Sequence, residues 1–588
     1  MRSITTAGLL AGLLCAAPVL GADANANANA GKAIFHAQCA LCHSAEPGDN
    51  GGAQGPNLNG VFGRHAASTD FGYTPALKAS GLTWDAITLN RFLNSPTTVV
   101  PGSAMVVPVA DDTERANIIA YFQALREGSF KAATPSFKAA TPDLAGRGGA
   151  PNFGPPPGTP GQDKPVKGSD DWKNDVPGRA HRIRIAKLPP AYDTPSTAKF
   201  PKLVPKPAGA QVKLPPGFTF SVFATDTTGA RKMLLAPNGD IFLSETNASK
   251  VVIMRPSADG THAQQIFTFA QGLNLPHGLA FYPDARNPKW LYVAETNRVV
   301  RYAYQPGDTR ASGVPQIVVA KLSPIAGGGH FSRDIVFSPD GRKMYVSVGS
   351  ASNVAEDLPK KTPEQVKAWE AQHGLGTAWG GEENRADVLV YEVGSDQGKV
   401  YASGIRNCVS LTVQPDNGAL WCTTNERDML GDDLVPDYST RVKPGQWYGW
   451  PWYYMGNHED PRHAGERPDL AGKVTSPDVP FQAHSAALNL TFYTATSGAS
   501  AFPKQYLGEG FAVLHGSWNR AFRTGHKVVR VRMKNGAPTG EYDDFLTGFI
   551  VDDGNAWGRP VALLVNKDGS LLLTDDGANI VYRIAYSH

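Results

Sequence analysis

The chain has 588 residues, enough for more than one domain, and a net charge of +3, close to neutral for that length. No dense Lys/Arg block stands out, so nothing points to a nucleic-acid partner. The 62 glycines and 46 prolines, with short runs rich in Val, Tyr, Thr and Phe, favour many short strands joined by turns over long helices.

The first 22 residues read as a secretory signal: one arginine, an apolar run, then small residues at Gly21 and Ala22. Leu14 precedes Cys15, which argues against a lipoprotein site. Beyond Asp23 no run of about 18 apolar residues occurs, so no transmembrane anchor is expected.

Residues 38–44, QCALCHS, contain Cys39, Cys42 and His43 as C-x-x-C-H. Two thioether bonds would use both thiols and leave His43 as the proximal iron ligand of a heme c. Met105 is the only methionine between Met1 and Met233, which makes it the natural sixth ligand. A Met/His pair raises the potential and gives an electron-transfer heme. Export together with a covalent heme predicts the bacterial periplasm. The stretches GPNLNGVFGR and PGSAMVVPV and the helical spacing of DTERANIIAYFQALRE complete the pattern. Residues 30–127 resemble the class I cytochromes c. The resemblance implies an all-α domain in which the Pro56 carbonyl accepts the free N–H of His43. It also implies that Tyr73 and Trp84 contact the heme; for Trp84 plain core packing is an equal alternative.

Residues 128–210 repeat KAATP and are dense in Pro and Gly, which predicts a linker with little ability to form a core. From residue 211 to the end a loose repeat takes over: APNGDIFLSE, YPDARNPKWLYVAE, SPDGRKMYVSVG, QPDNGALWCTTN, NKDGSLLLTDD and, more weakly, YLGEGFAVLHGS. Each has a tight turn, an apolar strand and a small or polar exit. Six such units in about 375 residues predict an all-β six-bladed propeller with long insertions, the alternative being a pair of β-sandwiches. The first strand, FTFSVFAT (218–225), is expected to complete the last blade, and the polar exits to gather around the central channel. Cys408 and Cys422 flank two short strands around a Pro-Asp-Asn-Gly turn; they either bridge across that hairpin or stay as buried thiols.

Candidate site residues cluster in a few stretches. His330 follows three glycines just before a strand, and Arg406 and Asn407 stand at another strand entrance. NERDMLGDD supplies acids and carbonyls, and Arg520, Lys527 and Arg559 come late in the chain. A histidine, several cations and a calcium-type loop converging on one channel suit a cofactor with several carboxylates. Singly, His330 has a structural alternative, and Arg520 and Lys527 a solvated one.

The stretches LPPGF, LPHGLAF, HFSRDIVFSPDG, SGIRN, NERDMLGDDLVPDY, YGWP and HGSWNR occur in one order across the propeller. In this they resemble the PQQ-dependent soluble sugar dehydrogenases, in particular the L-sorbosone and pyranose dehydrogenase branch. The resemblance implies an enzyme that oxidises a sugar or sugar-derived aldehyde by hydride transfer to PQQ. His330 would be the general base, Arg406 the stabiliser of charge on the quinone oxygen, and Asn407 its orienting neighbour. Ca²⁺ would be met by the main-chain carbonyls of Arg427 and Asp428. Arg520, Lys527 and Arg559 would hold PQQ carboxylates, with His277 and His484 as further lining candidates. Where such enzymes usually carry proline after the Arg-Asn pair, this chain has Cys408. The tethered heme would drain reduced PQQ one electron at a time toward a periplasmic acceptor. The rival readings are a heme d1-type reductase on an eight-bladed propeller, a Ca²⁺ lactonase, and a heme-tethered propeller that only binds a partner.

Overall fold

Turn chemistry and alternating apolar strands dominate the chain; short capped helices gather in its first part, and one more, Pro363–His373, capped by Thr362, is inserted in the propeller. The computed structural model describes residues 27–127 and 172–587, apart from 33, 36–38, 40–42, 44, 46–54, 70–72, 102, 104, 106–108, 110, 198, 200, 325–328 and 356–357. Cys42 and the 1–22 signal lie outside the described residues.

The N-terminal domain is helical. Helices span Pro75–Ala79, Ala86–Asn94, Pro96–Val99 and Asp112–Glu127. Asp85 caps the second by accepting the Thr88 N–H at 2.7 Å, and Asp111 caps the last through the amides of Thr113 and Glu114. The last helix buries Ile118, Ile119, Tyr121 and Phe122 against Leu89, Phe92, Leu93 and Phe35, whose ring lies 5.7 Å from that of Tyr121. Each such side chain stabilises the domain by about 1.5–3 kcal/mol.

The second domain is a six-bladed propeller of antiparallel sheets. Blade 1 is Ala230–Leu235, Ile241–Glu245, Lys250–Pro256 and Ala263–Gln271. Blade 2 begins at Leu279–Tyr282, blade 3 at Ile335–Phe337, blade 4 at Asn407–Val413, blade 5 at Ala487–Phe492 and blade 6 at Pro560–Val565. Blade 6 is completed by Phe218–Ala224, which pairs antiparallel with Ile580–Tyr586 from Phe218↔Tyr586 to Ala224↔Val581. Apolar side chains of neighbouring blades interdigitate; Phe242 of blade 1 meets Phe281 of blade 2 edge-on at 5.4 Å.

The repeated turn–strand units are the second strands of the blades. Each returns antiparallel to an innermost strand, as in Ala230↔Glu245 and Asn407↔Asn425, so innermost entrances and second-strand exits share one end of the channel. Lower down, polar side chains tie the innermost strands together. Asp334 accepts from Lys232 Nζ at 2.7 Å and from the Leu411 amide at 2.8 Å, joining blades 1, 3 and 4. Asn489 donates to Ser410 Oγ and accepts from the Leu563 amide, joining blades 4, 5 and 6.

Two features differ from or resolve the sequence reading. Residues 172–210, expected as part of the linker, are an arm packed on the propeller. Ala180–His181 forms a fifth strand on blade 5, and Lys202–Leu203 pairs with Asn555–Ala556. The arm is held by buried charge: Asp175 and Asp544 both bind Lys527 Nζ, at 2.7 and 2.9 Å, and His181 Nε2 meets Asp544 at 3.0 Å. These anchors were out of reach of the sequence reading because their partners, Asp544 and Lys527, lie 363 and 352 positions away. Cys408 and Cys422, left open by the sequence, are joined in a fully buried disulfide between the first two strands of blade 4.

Candidate functional site

The six innermost strands start at one end of the channel, and polar residues stand within a few positions of each start. In chain order these are Arg231, His277, His330 with Arg333, Arg406 with Asn407, His484, and Arg559. A first strand runs down the channel, so its entrance side chains face the mouth, where the fold supplies no sheet partner to cover them. The second-strand exits His515 and Asp576 join them. The structure thus places His277, His330, Arg406, Asn407, His484 and Arg559 at one end of the channel.

His330 is pinned. Its Nδ1 bonds the Ser350 carbonyl at 3.0 Å and lies 3.1 Å from Ser350 Oγ, and its amide donates to the same carbonyl. The His330 carbonyl accepts from Arg333 Nη1 at 2.7 Å and Arg385 Nη2 at 3.3 Å. Its Nε2 has no protein partner among the described residues. Burial, reinforced by the positive field of Arg406, holds the ring well below the ordinary histidine value, so it is neutral at pH 7. A neutral imidazole with Nδ1 on a carbonyl presents Nε2 as the proton acceptor.

Arg406 is almost completely buried, and its N–H groups all point at protein oxygens. Nε donates to the Asn353 carbonyl, Nη1 to the carbonyls of Glu426 and Asn425, and Nη2 to Asn353 Oδ1 and, at 3.2 Å, to Asp428 Oδ2. It therefore acts as a fixed positive charge rather than as a loose donor. Gly349 keeps this corner open: a Cβ there would lie 2.5 Å from Asn407 Oδ1 and 2.6 Å from His330 Cβ. Asn407 Oδ1 and His277 Nδ1 are buried with no hydrogen-bond partner among the described residues. Burial among Arg231, Lys232 and Arg333 pushes His277 down to about 3, so it too is neutral.

Opposite, Asp576 collects three partners: Arg231 at 3.3 Å, Arg559 at 3.3 Å and His515 at 3.0 Å. Burial opposes its charge, but Arg559, His515 and Arg231 hold the carboxyl well below the usual carboxylate range. Arg559 Nε, which faces Asp576, also lies 3.1 Å from His515 Nε2, and its η nitrogens have no described partner. Arg231 lies over the Phe331 ring at 5.5 Å. Arg231, Lys232, Arg333, Arg385, His515 and Asp576 were not singled out in the sequence. The signal was present in GARKMLL, where two cations open an otherwise apolar strand.

Other expectations are corrected. Lys527 is fully buried between Asp175 and Asp544 and anchors the arm, so its ammonium is not available to a channel ligand. Arg520 is held by the 430s loop, donating to the Asp432 carbonyl at 2.9 Å and pairing with Asp433 at 2.7 Å. The Asp428 carbonyl, expected on Ca²⁺, accepts from Asn353 Nδ2 at 3.2 Å and Arg462 Nη1 at 2.9 Å. The Arg427 side chain is buried in bonds to Glu426, Asp460 and the carbonyls of Pro451 and Tyr453. The Asp428 carbonyl is thus already engaged by two donors, and the Asp428 carboxylate meets Arg406 at 3.2 Å and His484 at 3.5 Å.

In the helical domain His43 Nδ1 meets the Pro56 carbonyl at 2.9 Å, as the resemblance implied, which leaves Nε2 for iron. Burial, partly offset by that bond, lowers its protonation and keeps the ring a neutral ligand. Gly55 lies against the ring face; a Cβ would come within 2.2 Å of Cε1. Burial and the nearby Glu114 carboxylate push the Cys39 thiol up to about 12. Met105 packs at the edge of the core, Tyr73 bonds Thr69 through its hydroxyl, and Trp84 packs on Phe92 at 4.8 Å.

Comparison with known proteins follows this division. Residues 28–126 match the cytochrome c family, and cytochrome c of Guizotia abyssinica is 40% identical over 100 residues, 17% of this chain and 89% of its own. An uncharacterized protein of Borreliella burgdorferi is 25% identical over 385 residues, covering 64% of this chain and 91% of its own. Among solved structures, the holo form of the pyranose dehydrogenase PQQ domain from Coprinopsis cinerea superposes with a TM-score of 0.52 at 19% identity, over 66% of this chain and all of that one. The calcium structure of the Trichoderma reesei family AA12 enzyme gives 0.52 at 19% identity over 66% of this chain and 98% of its own. Over residues 212–446 and 459–587 the chain belongs to the TrAA12-like family, an oxidoreductase family of PQQ-dependent sugar dehydrogenases, and it carries a cytochrome c domain ahead of that propeller.

Proposed function

We propose that this protein is a quinohemoprotein that oxidises a sugar or sugar-derived aldehyde at the propeller mouth and passes the electrons to its own heme c. The observation that carries this reading is His330: a neutral imidazole, pinned through Nδ1 and its carbonyl, with Nε2 directed to a mouth ringed by arginines.

The mouth fits PQQ, a planar tricarboxylate. Arg231 and Arg559 lie on one side with guanidinium nitrogens to offer. Asn407 Oδ1 and His277 Nδ1 are polar atoms without described partners, and Gly349 removes the side chain that would fill the corner between His330 and Asn407. When bound, PQQ supplies a quinone that takes a hydride from carbon. His330 Nε2 takes the proton from the hydroxyl of that carbon, which a histidine kept neutral at physiological pH can do. Arg406, immobilised by its oxygen partners, holds a positive field at the same edge without reorganising. A Ca²⁺ at that edge would have to compete for the Asp428 carboxylate with Arg406 and His484, which hold it at 3.2 and 3.5 Å.

Export to the periplasm is supported by the signal-like first 22 residues and by the buried Cys408–Cys422 disulfide, which suits an oxidising compartment. Among the described residues no helix is long and apolar enough to cross a membrane. A soluble periplasmic electron acceptor for the heme completes the reading.

The test uses the full chain with heme intact and metal stripped. PQQ and Ca²⁺ are added, then a panel of aldoses, 2-keto-aldoses and alcohols, while the heme α-band is followed. Heme reduction that needs PQQ and one substrate class is the expected result. Failure of PQQ to bind would overturn the dehydrogenase reading; PQQ-dependent oxidation without heme reduction would overturn the internal relay.

A further inference from the structure

The arm at residues 172–211 precedes the TrAA12-like match, and residues 447–458 fall in its gap. These two segments pack on each other: Ile185, Leu188 and Ala191 of the arm cover Tyr454 and Met455 together with Leu430, Leu434 and Val435. Between them lies the 429–433 loop, and the arm reaches its backbone directly. Leu430 accepts from the Tyr192 amide at 2.8 Å. The Gly431 amide donates to Ser196 Oγ at 3.2 Å, and the Asp432 amide donates to Thr194 Oγ1 at 2.7 Å. Gly431 has φ +107°, and a Cβ there would lie 2.9 Å from the Thr194 carbonyl, so arm and loop are in contact at a residue that has to be glycine.

The same arm holds the loop that carries Arg520. Asn519 Nδ2 donates to the Thr197 carbonyl at 2.8 Å while its Oδ1 accepts the Met429 amide, and the Lys199 amide donates to the Trp518 carbonyl at 2.6 Å. From the Gly431 peptide the contacts run inward to the channel. Its carbonyl accepts His484 Nε2 at 3.0 Å, His484 Nδ1 faces Asp428 Oδ1 at 3.5 Å, and Asp428 Oδ2 holds Arg406.

We propose that residues 188–197 of the arm are a positioning device for the channel site, with Thr194 as the positioning residue that fixes the Gly431–Asp432 backbone and, through His484 and Asp428, the guanidinium of Arg406. What the device is for rests on the PQQ reading above; that it holds the loop does not. In the chain the heme domain precedes this arm, separated from it by residues 128–171, so the covalent path from the heme domain to the propeller passes through the arm.

The experiment compares the full-length heme protein with Thr194→Val, which keeps the shape and removes the acceptor, and with Thr194→Ser, which restores a hydroxyl. Trp172→Phe serves as a control: it removes the indole bond to Asp553 and loosens the arm at a remote anchor. Two quantities are read: amide hydrogen exchange over 427–434 in protein free of PQQ, and the affinity for PQQ by quenching of tryptophan fluorescence. Thr194→Val is expected to exchange at least about fivefold faster over 427–434 and to bind PQQ about tenfold more weakly. Thr194→Ser should restore both, and Trp172→Phe should lower the melting temperature without moving either. Wild-type exchange in Thr194→Val, or no rescue by serine, overturns the clamp. Faster exchange with unchanged PQQ affinity overturns its link to the site. If the wild-type protein does not bind PQQ, the dehydrogenase reading fails, and the exchange comparison still decides whether the arm holds the loop.

Discussion

His43 and His330 sit in different folds yet are prepared in the same way. Each anchors Nδ1 on a backbone carbonyl (Pro56 at 2.9 Å, Ser350 at 3.0 Å), and each, His330 buried and His43 half-buried, is kept neutral with Nε2 free of that bond. What differs is the company. Around His43 stand Gly55 and the apolar core of a small helical domain, a setting for a metal ligand that never changes protonation. Around His330 stand Arg333, Arg385 and Arg406, a setting for a ring that has to accept a proton while charge develops beside it. The tautomer sets which nitrogen is offered; the neighbours set what it is offered to.

That contrast is breakable. His330→Ala should reduce substrate-driven heme reduction by about 10²–10⁴-fold while the heme spectrum stays unchanged, as stopped-flow and static spectra will show. If the loss is under about fivefold, His330 is not the base. Arg406→Lys comes next. It keeps the charge but not the planar fork, leaving acceptors at Asn353, Glu426 and Asp428 unmet, and should lower kcat/KM by about 10–100-fold. A near-wild-type lysine variant would mean that only the charge matters.

Two smaller effects sharpen the difference between the domains. Replacing Cys408 and Cys422 together by serine should cost the propeller about 3 kcal/mol in denaturant unfolding, the value for a loop of about 15 residues, and leave the heme-domain transition in place. Asp576→Asn should lower the propeller melting temperature by about 2–4 °C at pH 7. The carboxyl is depressed in the folded protein, so its contribution is present above about pH 4 and fades as pH falls through the folded value. The gap between wild type and variant should therefore narrow in scans below about pH 4; a constant gap would assign the loss to packing.

The heme site was legible because its chemistry is local: C-x-x-C-H names its own residues, and Pro56 follows His43 by 13 positions. The propeller site draws on positions from 231 to 576, and only the order of blades relates them. The repeated turn–strand motif exposed the second strands, which flank tight turns, and not the innermost ones. Stepping back one strand from each repeat leads to Arg231, His277, His330, Arg406, His484 and Arg559, so Arg231 was within reach once the blades were counted. The role of Lys527 was not. Its partner Asp175 is 352 positions away in a segment whose composition reads as linker. The partners of the Asp428 carbonyl were out of reach for a related reason: its donors, Asn353 and Arg462, come from other loops that no local pattern ties to it.

The seam between Phe218–Ala224 and Ile580–Tyr586 has a consequence for biogenesis. Thr219 Oγ1 donates to the Ala585 carbonyl across 366 positions, so the first strand to emerge during synthesis waits for the last. Until then its backbone groups form an open edge that any other strand can pair with, and closure carries the slow kinetics of very distant contacts. Loss of the final eight residues would leave every residue at the channel mouth present and the ring unable to shut, so a nascent or truncated chain carries the whole site and still lacks the frame that brings it together.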